Sequence, residues 1–134
     1  HRAFMDVAES RNVPFFTVET DINVFEIDKY EQMLLDLLTE HPDIDGLFLN
    51  SDIMAIAAMK VCRKLGRRVP EEVKIIGYDD VSMASLVSPQ ITTIRQPLAE
   101  MSKLSVKLIE NMVEGRPVEV ENCLPVELVE RETT

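Results

Sequence analysis

Apolar residues fall into two alternating rhythms along this chain: stripes at helical spacing and short β-branched runs closed by glycine, proline or aspartate. Tyr30, Met33, Leu34, Leu37 and Leu38 recur at i, i+3, i+4, i+7 and i+8, which predicts an amphipathic helix stopped by Pro42. Residues 2 to 10 carry Phe4, Met5 and Ala8 on one helical face, and Pro14 separates them from the extended run Phe15 to Val18. Gly46 to Leu49 predicts a buried strand, followed by Asn50, Ser51 and Asp52, any of which suits a helix cap. The helix from about Ile53 to Leu65 has a core face in Met54, Ala57, Ala58, Val61, Cys62 and Leu65. Ile53, Ile56 and Met59 fall opposite that face at ~100° per residue, flanked by Lys60 and Arg63. A second apolar stripe rimmed by cations predicts a self-association face, to which Leu86 and Val87 are assigned as well.

The next strand runs through Val73, Ile75 and Ile76 to Gly77, and it delivers Asp79 and Asp80 to its carboxyl end. Ligands of open α/β sheets bind at that end. A carboxylate there can accept hydrogen bonds from a polyhydroxyl ligand, hold a cation, or cap the following turn. Asp80 is expected to cap the short helix Ser82 to Val87, and Asp79 to face the cleft. Ile91 to Ile94 reads as another strand, and Pro97, Glu100 and Gly115 mark the start and stop of a helix with a buried stripe of Met101, Leu104, Leu108, Ile109 and Met112. Residues 123 to 129 alternate around Pro125 as an edge strand would. The expected fold class is therefore α/β: a three-layer, mostly parallel sheet flanked by helices.

Composition narrows the function. The 134 residues are 46% hydrophobic, enough for one modest core. With 14 basic against 24 acidic residues the net charge is −10, which argues against a nucleic-acid-binding surface on this segment. No apolar stretch approaches a membrane span, and the first residues lack a signal-peptide pattern, so no membrane partner is expected. Cys62 and Cys123 read as reduced, buried thiols and favour a cytoplasmic setting. His1 and His41 share no metal-ligand spacing, and neither a metal nor a cofactor is expected.

Five blocks then resemble a known family in order and spacing: Asp52 to Ala55, Arg68 to Pro70 with Val73, Gly77 to Asp80, Thr92 to Pro97, and Leu124 to Arg131. They resemble the effector-binding half of the lac and galactose repressor family over residues 46 to 134, while residues 1 to 45 fit more loosely. The resemblance implies a lobe like those of periplasmic sugar-binding proteins, with its first strand expected to be missing. Residues 1–134 would be the C-terminal part of an effector-binding and dimerisation domain, without the DNA-binding domain or the first lobe. The helix of residues 97–117 would belong to or contact that first lobe. Asp79 then resembles the carboxylate that receives effector hydroxyls, and Gln96 a contact on the crossing strand. Ser51 stands where many members carry an effector-binding asparagine, and Asp52 resembles a cap as much as a ligand contact. Val24 or Phe25 falls where relatives place an apolar platform, and the family's effector-binding arginine would fall at or just before His1.

The expected function is accordingly a ligand-sensing, dimerising part of a bacterial transcriptional regulator, not an enzyme. Its effector would be a sugar or related molecule, and it would form a homodimer or dimer of dimers. Operator DNA would be touched only through a separate N-terminal domain. A periplasmic sugar-binding component of a transporter shares the fold and is the alternative. A magnesium-dependent phosphotransfer enzyme using Asp79 and Asp80 is the remoter one, since Lys74 lies at the wrong end of the strand.

Overall fold

The computed structural model describes residues 2–18 and 26–134. In chain order the elements are α1 (Arg2–Ser10), α2 (Ile27–Glu40), β1 (Gly46–Phe48), α3 (Asp52–Lys64), β2 (Lys74–Asp79), a 3-10 turn (Ser82–Ser85), β3 (Thr92–Arg95), α4 (Leu98–Val113) and β4 (Glu127–Val129). The strands form one sheet in the order β1-β2-β3-β4. β1, β2 and β3 are parallel, with Phe48 opposite Ile76 and Asp79 opposite Arg95. β4 returns antiparallel on β3, pairing Glu127 with Arg95. The α/β class with a mostly parallel sheet is as the pattern predicts.

α3 packs against both α2 and β2, and the core forms where they meet. Tyr30, Leu34 and Leu38 of α2 join Met54, Ala55, Ala57, Ala58, Val61 and Cys62 of α3, with Val73, Ile75 and Ile91 from the sheet side. Each fully buried Leu, Ile or Val contributes about 1.5–3 kcal/mol, so these few side chains hold α2 on α3 and α3 on the sheet. The three alanines add little volume and let α3 approach closely. Behind the sheet's start, the last residues act as a strap. Fully buried Thr133 donates its hydroxyl to the Ile75 carbonyl at 2.7 Å and accepts the Thr92 N–H at 2.9 Å. Its carbonyl accepts the Ile75 N–H at 2.8 Å, so the strap binds both β2 and β3 just before they pair.

Four expectations are corrected. Phe15 to Val18 belong to no strand among the described residues. β1 is an edge strand, not a buried one, and Phe48, 44% exposed, stacks on Phe4 with ring centroids 6.0 Å apart. Cys123 is exposed, and only Cys62 is buried. α4 forms as predicted but buries none of its side chains, and its stripe residues Ile109 and Met112 are 60% and 64% exposed.

One close approach fixes the register of α3 on the sheet. A Cβ on Gly77 would overlap Asp52 Oδ1 and lie 3.3 Å from both Asp52 Cα and Ile91 Cγ2. Backbone and a buried carboxylate cannot yield as a flexible side-chain tip does. Gly77→Ala is therefore expected to destabilise the fold by about 1–3 kcal/mol, read as a lower urea midpoint with an unchanged slope.

Candidate functional site

The site is assembled at the carboxyl ends of β2 and β3, beginning with the amino end of α3. Ser51 is the N-cap: its backbone is extended at φ −159°, and its hydroxyl accepts the Met54 N–H at 3.3 Å. Asp52 follows, with no exposed surface. The Thr93 hydroxyl donates to its Oδ1 at 2.5 Å, and the Val81 N–H donates to its Oδ2 at 2.8 Å. Asp52 is thus an anchor between α3, β3 and the loop after β2, with no surface left for a ligand. Of the two roles expected for it, effector contact does not fit this placement.

β2 ends by turning through two left-handed residues, Asp79 at φ +105° and Asp80 at φ +55°. Such conformations cost on the order of 1–2 kcal/mol each for a residue with a Cβ, so the surroundings must hold them. They do so with adjacent rungs. Half-buried Asp79 accepts the Gln96 side-chain amide at 2.6 Å on Oδ1, and among the described residues no other donor bonds its carboxylate. Asp80 accepts Arg95 Nε on Oδ2 and Arg131 Nη2 on Oδ1, both at 2.6 Å. Arg131 also donates to the Ile91 carbonyl at 2.8 Å, and Arg95 to Glu127 at 3.2 Å.

Asp80 is therefore not the expected cap. Asp52 has taken the Val81 N–H, and no side chain caps the 3-10 turn. Burial pushes the Asp80 carboxyl up, but the hydrogen bonds and charges of Arg131 and Arg95 outweigh it and hold the group below its ordinary value. Two guanidiniums on one carboxylate occupy the place a cation would need, which counts against the magnesium reading. Sequence reasoning missed Arg95, Arg131 and Thr93 as site residues. The available signal was their position inside the recurring blocks, but nothing local pairs Arg131 with an aspartate 51 positions away.

The proposed contact face is brought together only in part. Ile56, Met59, Lys60, Arg63 and Val87 line a groove of about 490 Å³ with Arg67, Val69, Ser88 and Pro89. Ile53 and Leu86 are exposed, at 37% and 79%, but do not line it. Lys60 lines the groove with Arg63 as the flanking cations expected, and it is also tied back: it bonds Glu31 of α2 at 2.5 Å, and Lys64 bonds the same carboxylate at 3.0 Å. The Lys60 hydrogen bond chiefly, with the charges of both lysines, holds Glu31 below its ordinary value despite burial. Val24 and Phe25, and the arginine position near His1, lie outside the described residues. Among the described residues no group of three His, Cys, Asp or Glu side chains could hold a metal.

The family model for the periplasmic binding protein-like domain matches residues 1–134. The chain belongs to the lac and galactose repressor family, as part of its effector-binding domain. It is 33% identical over 135 residues to the ribose operon repressor of Halalkalibacterium halodurans, covering all of this chain and 40% of that protein. It is 37% identical over 105 residues to the transcriptional regulator CelR of Thermobifida fusca, covering 78% of this chain and 29% of that one. A structure of a CelR–cellobiose complex superposes with a TM-score of 0.85 at 28% identity, over 99% of this chain and 41% of the other. A LacI-family regulator from Arthrobacter in complex with lactose gives 0.83 at 26% identity, over 99% and 50%. The chain thus spans 34–40% of the length of the ribose repressors it matches.

The Asp80 clamp of this repressor-family lobe has a defined pH signature. Because its folded carboxyl sits below the ordinary 3.8, its stabilisation is complete above the unfolded value and is lost as pH falls through the folded one. Asp80→Asn is expected to lower stability at pH 7, with the gap to wild type closing below about pH 3.8, followed by urea titrations across pH.

Proposed function

We propose that the chain is the ligand-sensing and dimerising portion of a bacterial transcriptional repressor, and that its effector is a sugar or a close relative. The observation that carries this is Asp79: a carboxylate presented on a left-handed turn at the carboxyl end of β2, bonded only by the neutral amide of Gln96 among the described residues. A carboxylate accepts paired hydroxyl donors well, and a neutral rung can be exchanged for a ligand hydroxyl at little electrostatic cost. Ser51, at the start of α3 beside this turn's anchor, offers a hydroxyl in place of the asparagine of many relatives. Support also comes from the relatives' names, which include ribose and sucrose operon repressors.

In this reading the effector binds between two lobes, bonds one closure state better than another, and shifts the population. A coupling of about 1–3 kcal/mol changes operator affinity some 5- to 150-fold. The exposed apolar stripe of α4, in the 97–117 segment, docks on the first lobe. The groove under α3 meets a second copy. With a net charge of −10, this segment leaves DNA contact to a separate N-terminal domain. Among the described residues no helix is long and apolar enough to cross a membrane.

Two measurements on the full-length protein test this. Asp79→Ala is expected to abolish the rise in melting temperature that D-ribose, sucrose, lactose or cellobiose produces in the wild type; an unchanged shift removes Asp79 from the effector site. Ile56→Glu places a charge in the α3 groove and is expected to weaken dimerisation at least tenfold in sedimentation equilibrium, whereas a wild-type dimer would move the interface elsewhere.

A further inference from the structure

The chain leaves the sheet at Arg95 and rejoins it at Glu127. Between those points α4 buries no side chain, so the excursion is held chiefly at its two roots. The roots are paired backbone to backbone as Arg95 opposite Glu127, and their side chains meet at 3.2 Å. Asp80 grips both sides of this junction. One oxygen takes the outbound Arg95, and the other takes Arg131, two residues beyond the inbound strand. Arg131 is itself fixed by the Ile91 carbonyl and, through its N–H, by the Thr92 hydroxyl at 2.9 Å.

Consecutive residues therefore make consecutive rungs: Asp79 to Gln96 and Asp80 to Arg95. The first rung has a neutral donor and is half-buried, and a ligand hydroxyl can replace that donor. The second is doubly charged on an Asp80 side chain only 11% exposed, and it holds whether or not the first exchanges. We propose that Asp80 is a positioning residue for the effector site: through Arg95 and Arg131 it locks the left-handed turn that aims Asp79 to the root of the α4 excursion. Ligand occupancy at Asp79 is then passed to the excursion instead of being absorbed by a slack turn. The inference rests on the effector reading of Asp79.

The experiment measures sugar affinity by calorimetry and amide hydrogen exchange of the α4 peptides, with and without sugar, in the full-length protein. D-ribose, sucrose, lactose and cellobiose are the probes, and Asp79→Ala is the reference for the reading itself. In the wild type, the sugar that binds is expected to slow α4 exchange about fivefold or more. In Asp80→Asn that sugar is expected to bind about tenfold more weakly, and at saturation to leave α4 exchange within twofold of the unliganded variant. A merely structural Asp80 would lower the melting temperature and leave the saturated α4 response intact, and that result overturns the proposal. Asp80→Glu keeps the charge and is expected to recover part of the response. Should Asp80→Asn fail to fold, Arg95→Gln removes the outbound grip together with the exposed Glu127 contact, from a side chain 47% exposed, and Glu127→Gln is the control for that contact. Loss of the α4 response in Arg95→Gln alone supports the proposal, and a full response there, or the same loss in Glu127→Gln, overturns it. If none of the four sugars binds the wild type, or Asp79→Ala binds as tightly as wild type, the effector reading falls and the proposal falls with it.

Discussion

The structure depends on one buried carboxylate. Asp52 has no exposed surface, and an ion taken out of water costs several kcal/mol unless its lone pairs are met. Three things meet that cost together: the Thr93 hydroxyl from β3, the Val81 N–H from the loop after β2, and the positive amino end of α3, in whose first turn Asp52 stands. Each partner comes from a different element, so satisfying the charge sets helix, strand and loop relative to one another. Gly77 is the steric condition for this, because a side chain on β2 would occupy the space of the carboxylate.

The geometry of the site follows from that anchor. Once Asp52 holds the Val81 N–H, the loop needs no cap from Asp80, and the Asp80 carboxylate is available to the two arginines. In a chain carrying ten excess negative charges, those cations sit at a turn where two consecutive aspartates hold positive φ. Asp79 is then carried by its neighbour's ion pairs and presents its own carboxylate with, among the described residues, a single neutral partner. A site whose supporting bonds are stronger than its ligand bonds keeps its shape when the ligand comes and goes.

Much of the fold was legible in the sequence because its causes are local. α2 and α3 each bury their periodic face in the shared core, and the caps and stops at Ser51, Pro42 and Gly115 act within a few residues. α4 shows the limit of periodicity: an apolar stripe states that something covers the helix, without stating that it belongs to the same sheet. Asp80 shows a second limit. Capping was the best local partner for it, and it lost to Arg131, whose approach exists only after β4 has returned and the Thr133 strap has drawn the last residues across β2 and β3. The recurring blocks marked Arg95 and Arg131 as belonging to the family pattern, yet carried no information on which group each would meet.

The two exposed apolar surfaces differ in a way that bears on what covers them. The α3 groove is tied back to the lobe beneath it: Glu31 pairs with Lys60, Arg67 donates to the Ile44 carbonyl at 2.5 Å, and Ile56 and Met59 rest on the core. A surface already ordered loses little conformational entropy on association, which suits contact between separately folded molecules. The α4 stripe has no such support, since neither its own residues nor the segment of residues 114–123 is buried in this lobe. A helix held only at its roots pays its ordering cost when it docks, and that suits a covalently attached lobe, where the effective concentration of the partner is high. The same looseness makes α4 the element most responsive to a change at its roots, and the root is where Asp80 stands.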